Sequence, residues 1–284
     1  MKNCFLLFFF LPFMAAAQNF HFSPRVGIMG YHGDLKKNAL SLSQTKLMFS
    51  LGARYDLAER LSARSYFTYG SLRASDHKGT AAMRQRNLSF ESKIIDWEIG
   101  AQYNLLNLNY QWWTPYVFAG IGVYRFNPYT KETAGNRYYL KQLSTEGQGF
   151  TPGIKNYSLT QLSIPLGVGV DYLLSEDQRI GLELGYRRLF TDYLDDVSNQ
   201  YTDEASLLSN RGPRAVELAY RGDEVNASSY PAKGTLRGDP NKKDGYYYVA
   251  ITYTFRFWFD KYKQTSGIPG GGRERKQGCP STRN

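Results

Sequence analysis

The chain has 284 residues, a net charge of +10, a mean hydropathy of −0.48 and 15% aromatic residues, with Tyr the commonest of them. Beyond the N-terminal segment no apolar run reaches the roughly 20 residues a membrane-spanning helix needs, so membrane-spanning helices are not expected in the rest of the chain. A transmembrane β-barrel remains open, because lumen-facing polar residues dilute the hydropathy of each strand. No nucleic-acid module is recognisable, so the positive charge points to anionic lipid headgroups or an acidic protein partner and not to nucleic acid.

Residues 1–17 read as an export signal, with Lys2 as the positive start, Cys4 to Met14 as the apolar core and Ala15-Ala16-Ala17 as the cleavage site. The mature chain then begins at Gln18, and Cys279 is its only cysteine, so no internal disulfide is expected.

Eight segments then alternate with the period of two that marks a strand with one apolar face. The first runs from about Arg25 to Tyr31. The second, Thr45 to Leu57, sets Leu47, Phe49, Leu51, Ala53, Tyr55 and Leu57 on one face. The third is Leu61 to Ala74. The fourth, Leu88 to Leu106, aligns Ile95, Trp97, Ile99, Ala101, Tyr103 and Leu105. The fifth, Thr114 to Asn127, leaves its facing open. The sixth, Leu159 to Leu174, alternates without a break from Leu162 to Leu174, and the seventh, Arg179 to Tyr193, points Ile180, Leu182, Leu184 and Tyr186 outward. The eighth begins at Tyr246. Its face of Tyr247, Val249, Ile251, Tyr253, Phe255 and Phe257 is aromatic at both ends, as expected of girdle residues at two membrane interfaces.

Short and long links alternate between these strands. Ala58-Glu59-Arg60, Asn107 to Trp113 and Ser175 to Gln178 are short; Gly33 to Gln44, Ser75 to Asn87, Pro128 to Ser158 and Leu194 to Asp244 are long. An antiparallel barrel with both termini in the periplasm has this pattern, with short periplasmic turns and long outer loops. The predicted fold is therefore all-β: an eight-stranded antiparallel transmembrane barrel of OmpA-like size, spanning residues 18–259, with a flexible basic tail over 260–284.

Charge separates inside from outside. Arg25, Arg54, Asp56, Arg64, Asp96, Glu98, Asp171, Glu183, Arg187 and Arg256 lie opposite the apolar faces. A charge at the bilayer midplane costs about 2–4 kcal/mol on a barrel's lipid face, so these residues belong in the lumen. Cations and anions are equal in number among them, and an eight-stranded barrel is just wide enough to be filled by its own side chains. A core plugged by ion pairs, without a conducting pore, is expected. The Gly-Ile-Gly and Gly-Val-Gly pairs at 120–122 and 167–169 lie inside strands with no following helix, so they are not nucleotide loops and no cofactor is implied.

Other candidate chemistry is sparse. His21, His32 and His77 are dispersed, without metal-ligand spacing. His77 beside Ser75 and Asp76 suggests a hydrolase only weakly, and a solvated loop is the expectation there. Asp192, Asp195, Asp196, Asp203 and Glu204 cluster after strand seven; a Ca²⁺ site is conceivable, but EF-hand spacing is missing and a solvated or lipopolysaccharide-facing loop is expected. The tail carries Arg273, Arg275, Lys276 and Cys279 after a Gly-Gly-Gly linker, a candidate periplasmic hook for an acidic or cysteine-bearing partner.

Several segments carry a family resemblance: Gly30 to Leu35, Arg86 to Phe90, Phe118 to Gly122 leading to Phe126-Asn127-Pro128, Leu143 to Gly149, and Thr191 to Ser198. Together they resemble the PorG-like outer-membrane proteins of Bacteroidota, which carry a DUF6089-type barrel. The resemblance implies a non-enzymatic role in type IX secretion, in which the barrel associates with a periplasmic ring of PorK- and PorN-like proteins and fixes it to the outer membrane. The alternative is a stand-alone OmpA-like structural or adhesive barrel without a secretion role.

Overall fold

The computed structural model describes residues 20–36, 42–132, 134–226 and 229–256. The export signal and the basic tail with Arg273, Arg275, Lys276 and Cys279 lie outside the described residues, as do Phe257 and Phe259 of the expected closing strand.

The strands are β1 (Phe20–Phe22), β2 (Arg25–His32), β3 (Lys46–Asp56), β4 (Leu61–Ser75), β5 (Ser89–Asn104), β6 (Trp113–Arg125), β7 (Pro128–Lys131), β8 (Arg137–Tyr139), β9 (Thr160–Ser175), β10 (Gln178–Leu189) and β11 (Gly245–Arg256). Antiparallel pairing runs β2–β3–β4–β5–β6–β9–β10–β11 and back to β2, which closes a ring of 8 strands. In the closing pair Thr252 faces Arg25 and Gly245 faces His32. β1 continues the first barrel strand below a break at Ser23-Pro24, where proline has no N–H for the ladder. The flanks stay tied: Ser23 N donates to Gly52 O at 2.8 Å, and Tyr253 N donates to Pro24 O at 3.1 Å.

The short links all fall at one end, together with Phe20 and Arg256, and the long links fall at the other. Along β3 to β6 and β9 to β11 the outward face is apolar and exposed: Leu51, Phe67, Trp97, Ile121, Leu162, Leu182 and Ile251 are among its members. The fifth predicted strand resolves as β6, with Val117, Ile121 and Val123 outward and Tyr116, Phe118 and Tyr124 inward. An apolar belt outside a closed sheet is the arrangement lipid requires, since closure leaves no open strand edge in the bilayer.

Two lumen-facing glycines make the interior possible. A Cβ on Gly52 would meet the Tyr66 ring at 2.0 Å, and one on Gly185 would meet the Tyr248 ring at 2.3 Å. Both rings wall the charged centre described below.

The long links build an ordered cap. β7 continues the line of β6 along β5, with Glu91 opposite Tyr129, and β8 returns beside it. Helices α1 (Ala81–Arg86), α2 (Leu140–Leu143), α3 (Glu204–Arg211), α4 (Pro213–Ala219) and α5 (Asp223–Asn226) fill the rest. The Asp203 side chain caps α3 by accepting from Ser206 N at 2.9 Å. Gly212, at φ 81°, ends α3, and Pro213 starts α4 where its missing N–H costs nothing. The barrel's upper apolar core (Met29, Met48, Leu72, Phe90, Ile94) runs directly into cap residues Leu140, Tyr157, Leu194 and Val197.

Two strand readings need correction. The seventh strand ends at Leu189, and Thr191 to Tyr193 belong to the cap. Tyr247 points off the barrel but is buried, because the Lys36 ammonium covers it and donates to its hydroxyl at 3.0 Å.

Candidate functional site: a charged lumen under a buried acidic cap

Strand alternation delivers charges from several strands to one point. Glu183 of β10 receives Arg64 of β4 through two bonds, Nη1 to Oε2 at 2.9 Å and Nη2 to Oε1 at 3.0 Å. Arg25 Nη1 of β2 reaches Oε1 at 2.5 Å, and the Tyr116 and Tyr248 hydroxyls donate at 2.8 and 2.5 Å. Glu98 of β5 accepts from Arg64 Nη2 at 3.1 Å and from Arg187 Nη2, while Arg187 Nε donates to Asp96 Oδ2 at 2.9 Å. Nearer the short turns, Arg54 pairs with Asp171 at 2.6 Å and donates to the Tyr66 hydroxyl at 2.9 Å. The guanidinium groups also lie on rings, Arg25 3.6 Å from the Tyr66 centroid and Arg64 3.8 Å from that of Phe118.

Arg25, Arg64, Asp96, Glu98, Glu183 and Arg187 are thus buried and joined in one continuous set of ion pairs, with the buried Arg54–Asp171 pair separate below it. Asp56 and Arg256 are not part of it. They sit at the short-turn end, where Asp56 faces Arg179 at 3.5 Å and His21 at 3.7 Å, and Arg256 faces Asp177 at 3.4 Å. Tyr248 shares the polar face of its strand with Arg256, as alternation predicts; Tyr66 and Tyr116 were not singled out in the sequence, although the parity of Tyr66 with Arg64 on the same strand was an available signal.

The cap reverses the expectation of a solvated acidic loop. Asp192, Asp195 and Asp196 are buried, with Asp244 and Glu146 beside them. The Tyr31 hydroxyl lies 2.6 Å from Asp195 Oδ2 and 2.9 Å from Asp244 Oδ1. A phenol has one proton, so one of these carboxyls must carry its own. Burial pushes the Asp195 and Asp244 carboxyls well above the usual range, with little cationic compensation. Burial likewise raises Asp192 to about 7 against the bond it accepts from Ser198, and Asp196 to about 6 against nearby Arg237. Glu146 is paired with Arg237 at 3.0 Å and accepts from Ser198 N and Asn199 N at 2.9 and 3.0 Å. Asp203 and Glu204 stand apart at the start of α3.

The Ser75-Asp76-His77 trio forms no catalytic arrangement. Ser75 accepts a bond from His77 N, the His77 ring is exposed, and the Asp76 carboxylate is held by Arg86 at 2.8 and 2.9 Å and by Leu88 N at 3.0 Å. Among the described residues, no group of three or more His, Cys, Asp or Glu has a metal-holding arrangement.

A closed ring of 8 antiparallel strands with an apolar outside and an ion-paired inside defines an outer-membrane β-barrel protein. The family model for DUF6089, a domain of unknown function, matches residues 2–210, and the chain belongs to that family. No protein of curated function matches it by sequence. Among solved structures it is similar to Neisserial surface protein A (10% identity, TM-score 0.42, covering 84% of this chain and 97% of that one). It is also similar to the outer membrane protein OprG from Pseudomonas aeruginosa (10% identity, TM-score 0.40, 84% and 96% covered). A major outer membrane protein from Thermus thermophilus is similar too (15% identity, TM-score 0.39, 84% and 99% covered). Likeness at this level carries nothing about ligand or activity, and the barrel assignment rests on the strand pairings themselves.

Proposed function

We propose that this protein is a non-enzymatic outer-membrane barrel that fixes the periplasmic ring of a type IX secretion system to the membrane. The filled lumen is the observation that carries the reading. Side chains from β2, β4, β6, β10 and β11 meet at Glu183, so the interior is committed to its own ion pairs and the working surfaces are the two ends. The short-turn end faces the periplasm, following the usual placement of short turns in such barrels. Phe20 and Arg256 both lie there, so the basic segment with Arg273, Arg275, Lys276 and Cys279 continues from that end. Its charge suits an acidic protein face, and the PorG-like resemblance names a ring of PorK- and PorN-like proteins as the partner.

Deleting residues from Ser266 onward tests this. The truncated barrel should keep its heat-modifiable folded band yet lose ring proteins on co-purification from solubilised envelopes. Unchanged co-purification would remove the tail from the account. The ordered cap favours a second reading, a stand-alone structural or adhesive barrel acting through its outer loops; a knockout with normal secretion and altered surface binding would select it.

A further inference from the structure

On the outward face of β5 and β6, cations stand directly above the apolar belt. Ile95, Ile121, Val123 and Leu162 are exposed there. Ile95 lies opposite Arg125, and Lys93 is the next outward residue up β5. Lys93 and Arg125 are thus diagonal neighbours, about 7–8 Å apart at Cα in such a ladder. Both are exposed, and among the described residues neither makes an ion pair. Glu91, the nearest carboxylate on β5, faces Arg73 across the ladder and accepts from the Tyr129 hydroxyl at 2.7 Å.

The pairing of β6 with β9 ends at Arg125 opposite Thr160, and Phe126 N donates to Leu159 O at 3.0 Å. At that point a cleft of about 430 Å³ opens, lined by Asn127, Lys141, Gln142, Asn156 and Arg211. Arg211 Nε is spent on Ser144 Oγ at 3.1 Å, and among the described residues its two terminal nitrogens make no hydrogen bond, which leaves them for another acceptor. From the membrane upward the order is apolar surface, paired cations, then a polar cleft with two more cations.

We propose that this strip is a binding site for one phosphorylated glycolipid of the lipid A class in the outer leaflet. Acyl chains lie on Ile121, Val123 and Leu162, a phosphate bridges Lys93 and Arg125, and sugar hydroxyls and a second phosphate occupy the cleft beside Lys141 and Arg211. Guanidinium and phosphate form paired, charge-assisted bonds, and bridging one anion relieves the repulsion between two neighbouring cations. A glycerophospholipid would satisfy the lower cations but leave the cleft unused, since 430 Å³ is ligand-sized and far exceeds a single phosphate. The assignment rests on the long-loop end facing outward, as proposed above.

The test uses the full chain in detergent micelles, titrated with purified lipid A, enzymatically dephosphorylated lipid A and phosphatidylglycerol, with bound lipid read by native mass spectrometry. Lipid A should be retained over both others. Arg125→Ala combined with Lys141→Ala should weaken its retention about 10- to 100-fold, the range for losing charge-assisted bonds. Arg188→Ala, an outward cation on β10, should change nothing, and the heat-modifiable band reports folding of each variant. Equal retention of dephosphorylated lipid A or phosphatidylglycerol, or an unaffected double variant, would overturn the proposal. Micelles expose both ends, so this result is independent of orientation. Whole-cell biotinylation of a cysteine placed at Gly153 reads the orientation separately, and inaccessibility there would overturn the outer-leaflet assignment.

Discussion

Arg64 and Glu183 meet end-on in the middle of the lumen, each terminal guanidinium nitrogen within 3.0 Å of its own carboxylate oxygen. The two residues are 119 positions apart in sequence, on β4 and β10. Their meeting fixes those strands across the barrel, and both are almost wholly buried. Such a pair adds little net stability, because desolvation offsets attraction, but removing one partner strands the other.

Glu183→Ala should therefore be among the most damaging lumen substitutions. It leaves Arg25 and Arg64 with only Glu98 as a carboxylate partner, the Tyr116 hydroxyl without its acceptor and the Tyr248 hydroxyl with only the bond it accepts from Arg25. A loss of about 3–5 kcal/mol is expected from breaking a buried pair. Urea unfolding in micelles, followed by tryptophan fluorescence, should show a markedly lower midpoint. A midpoint matching wild type would mean the network does not hold the barrel together.

The cap should loosen as pH rises. Asp192 is held near 7 and Asp196 near 6 when folded, against a usual 3.8. A carboxyl that keeps its proton longer in the folded state makes folding take up protons, so stability falls with rising pH between the two values. The penalty is absent below about pH 4, grows through pH 4–7 and is complete above it. Amide protection across residues 190–200, taken relative to the base-catalysed intrinsic rate at each pH, should be greater at pH 5 than at pH 8. Asp192→Asn should reduce that difference, and pH-independent protection in wild type would contradict the assignment.

Arg237→Ala tests the cap separately from the barrel. Arg237 bonds to Glu146, to the backbone of Asp196 and to Ala219 O at 3.2 Å. Without it Glu146 is a buried anion lacking its cation, at a cost of about 3–5 kcal/mol. Limited proteolysis should cut the 194–244 link in the variant while the heat-modifiable barrel band persists. Loss of that band would show that the cap and barrel fold as one cooperative unit.

Strands were legible in the sequence because lipid enforces alternation residue by residue, as from Leu162 to Leu174. The charged lumen was legible for the same reason: Asp96, Glu98, Glu183 and Arg187 share the parity opposite their apolar neighbours. The cap was not. Glu146 reaches Ser198 across 52 positions, and Asp34 accepts from Asp239 N across 205. Such contacts depend on how four links pack together, and no local period records them. Tyr247 illustrates the same limit, its place on the apolar face being overridden by Lys36 from a distant loop.

The central claim is that the barrel is sealed by its own side chains and works through its ends. Single-channel recording of the purified protein in planar bilayers tests it most directly. The network centred on Glu183, Glu98, Arg25, Arg64 and Arg187 predicts no stepwise conductance at neutral pH. Reproducible ion-conducting openings would contradict it.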